Sequence, residues 1–170
     1  TEYRMAIAMA RQGGIGIIYL AYHVPLKKLV EEFGLQVVYA ASDYDSICLQ
    51  VPDAARPGIQ LAGYFEYFDA RRLQVLGNVE MSYLSRLSEE ERKQVLDRLF
   101  SYRFPALLIA RDMQPHEACF EMAKKHDVTL LRTNEPTSTI VSNIVTYLRV
   151  SLAPRITRHG VLMEVYGEGL

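Results

Sequence analysis

The chain has 170 residues, 49% of them hydrophobic, which is enough for one sizeable core that buries roughly 70% of the unfolded surface. Lys and Arg total 19 against 20 Asp and Glu, a formal net charge of -1, so no global field recruits nucleic acid or an anionic membrane, and neither is expected as a partner. No apolar run approaches the roughly 18 residues of a membrane-spanning helix, which excludes an integral membrane protein built on such helices.

The first stretch, TEYRMAIAMARQGGIGIIYL, carries Met5, Ala8 and Met9, then a Gly13-Gly14 break, then a β-branched apolar run. It reads as a short helix, a glycine stop and a buried strand. Gly13, Gly14 and Gly16 do not form a dinucleotide loop, because they follow a helix and precede a strand, and the phosphate needs a helix N-terminus after the glycines. Ile15 to Tyr22 has strand length and no basic region ahead of it, so a signal peptide is not expected.

Pro25 opens a helix through Phe33, with Leu26, Leu29, Val30 and Phe33 on one stripe and Gly34 as its stop. Leu35 to Ala40 is a predicted strand, Ser42 to Asp45 a polar turn, and Ile47 to Val51 a second strand. Arg56-Pro57-Gly58 is a turn signal, after which aromatic residues are dense through Phe68. Ser88 followed by Glu91 is a capping box that starts a helix to about Tyr102.

The second half alternates more cleanly. Pro105 to Ala110 is a continuous apolar strand, Pro115 to His126 a helix, Val128 to Leu131 a strand, and Ser138 to Leu152 a long helix ended by Pro154. Apolar strands alternating with helices predict an α/β fold of three layers, a mainly parallel sheet with helices on both faces. A last strand around His159 to Val165 begins something new and finds no partner in the few residues after it, so the tail is expected to be disordered, re-paired within the chain or paired with another copy.

The residues offer little chemistry. No G-x-x-x-x-G-K-[ST] string occurs; Gly167-Glu168-Gly169 comes nearest, and its acid would repel phosphate. Cys48 and Cys119 have neither Cys-x-x-Cys nor histidine partner spacing, so two buried free thiols in a reducing cytoplasm are expected, with no metal site and no disulfide. His23, His116 and His126 sit at predicted helix ends, where capping accounts for them.

Arg56, Arg71, Arg72, Arg111 and Arg132 fall at predicted strand ends or turns, where ligands of open α/β sheets bind. Arg111, Arg132, Thr133 and Ser138 form a candidate anion site, with Thr139 adding a hydroxyl; capping and surface salt bridges are the alternative. Tyr64, Phe65, Tyr67 and Phe68 are a candidate interface, the alternative being core.

The blocks RPGIQLAGYFEYFDARRLQVLGNVEMSYL (Arg56 to Leu84), PALLIARDMQP, LLRTNEPTS and APRITRHGVLMEVYGEG together resemble the N-terminal domain of bacterial HPr kinase/phosphorylase, in order and spacing, from about His23 to Leu170. Ala54-Ala55 stand where that family usually has an asparagine beside the arginine.

The resemblance implies a fold like the nucleotide-sugar-binding domain of Mur ligases, residues 23–152 as that N-terminal domain, and residues 153–170 as a linker and first strand of a catalytic domain. His159 matches a catalytic-domain histidine ahead of the phosphate loop, and the chain is expected to end before that loop. The longer protein would be a cytoplasmic oligomer that phosphorylates a serine of HPr with ATP and magnesium, and reverses that step, in carbon-source regulation. This chain is then expected to be no enzyme and to hold no cofactor, serving regulation or assembly beside its own catalytic domain. The alternative is a stand-alone sensor of a phosphorylated metabolite or nucleotide.

Residues 1–22 are expected to be an extension of separate origin, the alternative being a natural extension that converged on a similar helix and strand. Residues 1–19 look like a barrel segment of inosine monophosphate dehydrogenase, but they lack that family's cysteine and phosphate loops, so dehydrogenase chemistry does not follow.

Overall fold

A computed structural model of the chain describes residues 23–153 together with two short strands, Glu164–Val165 and Glu168–Gly169. The helix, glycine pair and strand expected in residues 1–22, and His159 with most of its strand, lie outside the described residues.

In chain order the elements are β1 (Val24–Pro25), α1 (Leu26–Glu32), β2 (Gln36–Tyr39), β3 (Cys48–Leu49), β4 (Ala54–Ala55), α2 (Gly58–Leu61) and β5 (Leu73–Leu76). Then come α3 (Asn78–Arg86), α4 (Glu89–Phe100), β6 (Ala106–Ile109), α5 (Glu117–His126), β7 (Thr129–Arg132) and α6 (Thr137–Ser151). All of these fall within the compact unit Tyr22–Leu152. Helix α1 stops as its sequence predicts. Gly34 takes φ +57°, a left-handed conformation that costs glycine little, and the Leu35 amide returns to the Val30 carbonyl at 2.9 Å.

The sheet has five strands in the order β2-β7-β6-β5-β4. Strands β4 to β7 are mutually parallel, while β2 runs antiparallel to β7 with a register shift between Val37 and Tyr39. Every residue of β5 and β6 is buried, the condition of a parallel strand covered on both faces. Alternation along the strands then feeds two cores. Leu73, Val75, Leu108 and Leu131 pack with Leu29 of α1 and with Ile140, Ile144 and Leu148 of α6. Leu76, Leu107, Ile109 and Leu130 pack with α2 to α5, through residues such as Leu61, Leu84, Leu99 and Cys119. The architecture is therefore the three-layer α/β arrangement that the sequence predicts.

Three local expectations change. The strand over Ile47 to Val51 shrinks to Cys48–Leu49 and leaves the main sheet, pairing antiparallel with β1 so that Val24 faces Leu49. Two-residue pairing in a separate ribbon buries only one side, so Leu49 is inside and Cys48 outside; the expectation of two buried thiols holds for Cys119 alone. Strand β5 and helix α3 emerge from a block that the periodicity left unassigned. Separately, β8 (Glu164–Val165) and β9 (Glu168–Gly169) pair antiparallel within the chain. No helix among the described residues is long and apolar enough to cross a membrane.

Candidate functional site at the carboxyl edge of the sheet

Because β4 to β7 all point the same way, the residues that follow them, Arg56, Gly77, Ala110-Arg111 and Thr133, gather along one edge. In open α/β sheets this is the edge where ligands bind. A buried, multiply bonded carboxylate lies at its centre.

Glu80 lies in the first turn of α3, where the helix dipole favours an acid, and its side chain is only 4% exposed. Arg56 grips it with a fork, Nε to Oε1 at 3.2 Å and Nη2 to Oε2 at 3.0 Å, and the Gly77 amide donates to Oε2 at 2.9 Å. A buried carboxylate is tolerable only with such partners. Glu80 thus supplies half of a capping box for α3, the glycine having no side chain to supply the other half.

At Gly77 the first turn of α6 packs directly on the backbone. A Cβ on Gly77 would lie 2.6 Å from Thr137 Oγ1 and 2.9 Å from Thr137 Cγ2. The space that a phosphate would use beside a glycine turn is therefore occupied by Thr137, and the amide that would cradle it is taken by Glu80. These residues do not fit a magnesium nucleotide, and no group of three or more metal-ligating side chains occurs among the described residues.

Of the predicted anion cluster, Arg111, Arg132 and Thr133 belong to adjoining loops at this edge. Arg132, the last residue of β7, donates through Nη2 to the Asp112 carbonyl at 3.0 Å and to its carboxylate at 2.5 Å. With the Gln114 carboxamide oxygen turned toward the guanidinium, it accepts from both Nη atoms at 2.9 and 3.1 Å. Arg132 Nε is buried and finds no acceptor among the described residues. Thr133 closes the loop from beneath: its amide donates to Ile109 at 2.9 Å, its carbonyl accepts from Asp112 at 2.7 Å, and its hydroxyl accepts from the Glu135 amide at 3.3 Å. Arg111 holds φ +62° with its side chain exposed, and Ser138 is exposed in the first turn of α6. Arg132 is therefore a strut for the 110–114 loop, and Arg111 is the exposed arginine beside it.

Arg71 and Arg72 belong elsewhere, since they lead into β5 at its amino end. Arg71 forks onto Asp69 at 2.9 and 3.0 Å, and that guanidinium holds the Asp69 carboxyl down at about 2. Arg72 reaches Asp53 at 2.9 Å. At this amino edge lies a cleft of about 480 Å³, lined by Asp43, Arg71, Arg103 and Asp127 over a floor that includes Phe104 and Val128. Nothing in the local sequence announced it, because its residues come from four separate loops.

The aromatic quartet divides. Phe65 stacks on Tyr102 at 4.8 Å and Phe68 meets the same ring edge-on at 5.1 Å, both packed against the second core. Tyr64 and Tyr67 point outward, Tyr67 at 86% exposure. Two of the histidines have side-chain partners rather than the capping role expected of them: His116 stands at the N-cap of α5 but its Nε2 lies 3.1 Å from Ser85 Oγ, and His126 Nε2 lies 2.7 Å from Asp97. Burial, and then the Arg92 charge, lower the His116 pKa. Burial pushes the Cys119 thiol up to about 12, which leaves it without thiolate reactivity.

Residues 24–148 match the family described as HPr Serine kinase N terminus. The chain is similar to the HPr kinase/phosphorylase of Caldicellulosiruptor bescii, 38% identical over 149 residues that cover 88% of this chain and 48% of that protein. It is equally similar to the HPr kinase/phosphorylase of Lachnoclostridium phytofermentans, with the same identity and coverage. The chain spans about half the length of the curated relatives it matches. Among solved structures, the CBS and DRTGG domains of the regulatory region of Clostridium perfringens pyrophosphatase, complexed with the activator diadenosine tetraphosphate, share the fold. The TM-score is 0.50 at 13% identity, covering 89% of this chain and 57% of that one.

Proposed function

The chain belongs to the HPr serine kinase N-terminal family, and from that membership we propose that it is the non-catalytic regulatory or assembly domain of a bifunctional HPr serine kinase/phosphorylase. In this reading the longer protein phosphorylates a serine of HPr with ATP and magnesium and reverses the reaction, within carbon-source regulation. The remaining half of the length seen in the relatives supplies the catalysis, and the longer protein assembles into an oligomer. The observation that carries the reading is the closed carboxyl edge. Glu80 takes the Gly77 amide and Thr137 fills the space above the glycine, so the edge is locked by the domain's own side chains.

The test separates the two halves of the proposal. This chain, given HPr and magnesium-ATP, should transfer no phosphate, and transfer would overturn the non-catalytic assignment. In a protein of the relatives' full length, replacing the exposed Tyr64 and Tyr67 by serine should alter the oligomeric state in light scattering or the response to effectors; unchanged values for both would overturn the regulatory and assembly role.

A second reading has one observation in its favour. A buried Arg132 Nε with no acceptor among the described residues, beside the exposed Arg111, suits a sensor that takes a phosphorylated metabolite or nucleotide on Arg111, Arg132, Thr133 and Ser138. Such an anion must compete with Asp112 for Arg132. Thermal-shift titration with nucleotides and sugar phosphates tests it; it fails if none raises Tm, or if Arg111→Ala leaves any rise unchanged.

A further inference from the structure

We infer that the cleft at the amino edge of the sheet binds a small zwitterion, a free amino acid with an apolar side chain. This binding stands on the cleft alone and is independent of the role proposed for the domain.

The cleft's volume, about 480 Å³, falls in the range of small-molecule sites. Its charged lining comprises two arginines and two aspartates, Arg71, Arg103, Asp43 and Asp127, which sum to zero. A nucleotide or bisphosphate entering it would meet both carboxylates as well as both guanidinium groups, and the repulsion offsets the attraction. A ligand that carries both signs gains from each.

The four charges are not equally committed. Arg71 is spent on Asp69. Asp127 accepts from the Tyr39 hydroxyl at 3.1 Å, from the Ser42 amide at 2.9 Å and from the Ser42 hydroxyl. Arg103 and Asp43, by contrast, are exposed, and their side chains make no direct ion pair or hydrogen bond among the described residues, although the Arg103 charge acts at longer range on Asp127. Arg103 is moreover held at φ +48°, a conformation that costs an arginine strain and fixes where its side chain emerges. One cation and one anion with unused hydrogen-bonding capacity thus share a concave surface. The apolar part of the lining comes from half-buried Ile47, from Pro105 and from the small exposed remnants of Phe104 and Val128, at 3% and 2%, alongside the polar Gln50. The ligand's carboxylate is therefore assigned to Arg103, its ammonium to Asp43, and its side chain to the apolar floor.

The experiment titrates this chain with leucine, methionine and phenylalanine, following Tm and the amide resonances of residues 43–50, 103, 104 and 106. N-acetyl-leucine, leucinamide and glucose 6-phosphate serve as comparators. At least one free amino acid should raise Tm and shift those resonances. Each blocked form should bind about tenfold more weakly or worse, as expected for the loss of a charge-assisted contact. Arg103→Gln and Asp43→Asn alter exposed side chains without described partners, so the fold should survive while binding falls by the same factor. The inference is overturned if no free amino acid binds, if both variants bind like the parent, or if glucose 6-phosphate binds more tightly than all three.

Discussion

Replacing Gly77 by alanine tests how tightly the carboxyl edge is closed. The backbone there, φ -116° and ψ -165°, is open to any residue, so the penalty must come from Thr137 and not from strain. The new methyl would sit 2.6 Å from Oγ1, 2.9 Å from Cγ2 and 3.2 Å from Cβ, the first about 0.8 Å inside the 3.4 Å at which ordinary contact begins. Thr137 cannot swing away easily: it is 6% exposed, β-branched and in the first turn of α6. Overpacking of this kind costs about 1–3 kcal/mol. Poorer capping by alanine adds a few tenths, and the stiffer unfolded chain returns about 0.4–1 kcal/mol. The net expectation is a destabilisation of about 1–2 kcal/mol, measured as a lower urea midpoint at unchanged m. Thr137→Ala removes two of the three offending atoms, so the double variant should recover at least about 0.5 kcal/mol in a double-mutant cycle. A Gly77→Ala protein within about 0.3 kcal/mol of the parent, or a cycle with no coupling, would refute the packing argument.

Three further outcomes are expected from the same packing. Arg56→Ala strands a carboxylate that is 4% exposed, whereas Glu80→Gln frees an arginine that is already 45% exposed; the first should cost about 2–4 kcal/mol and the second less, by chemical denaturation. Thiol titration with an aromatic disulfide should label Cys48 at once and Cys119 only after unfolding, since burial holds Cys119 protonated; two fast thiols would contradict the packing. Asp69 has a folded pKa near 2, below its unfolded value, so the stability it contributes is complete above pH about 4 and fades as the pH falls toward 2. Asp69→Asn should flatten that part of the stability curve, by an amount trimmed because Arg71 is 68% exposed.

Much of the framework was legible because local signals agreed with the global fold. The Ser88 box forms as written, with the Glu91 amide 3.3 Å from Ser88 Oγ and the Ser88 amide 2.9 Å from the Glu91 carboxylate. The run PALLIA is a strand buried along its length. The hidden features are non-local. Gln74 interrupts the apolar reading of LQVL, yet it is fully buried and donates to the Arg72 carbonyl at 3.0 Å, so β5 looks weaker in sequence than it is. Gly77 with Glu80 three residues on is a capping signal that a search for Ser, Thr, Asp or Asn passes over. The Arg56 fork onto Glu80 spans 24 residues, and the amino-edge cleft joins four loops; neither leaves a local pattern. The candidate arginines were correctly placed at strand ends, but sequence cannot say which end of the sheet each occupies, and Arg71 and Arg72 lie opposite Arg56, Arg111 and Arg132.

Strand β2 has a consequence for the order in which the domain assembles. It is made early, yet its partner in the sheet is β7, with Gln36 opposite Arg132. Until that partner exists, β2 has no ladder, and closing so long a loop comes late because its entropy must be met before the contacts reward it. The expected order is therefore that β5 and β6 pair first, and that β2 joins the sheet later even though α1 beside it is tied locally by the β1–β3 pair. Once joined, β2 is held by the ladder and by the Asp127 carboxylate, which gathers the Tyr39 hydroxyl and the Ser42 amide at its end. Amide exchange should read that history in reverse: protection lost first across Gln36 to Tyr39, and last across Leu107 to Ile109.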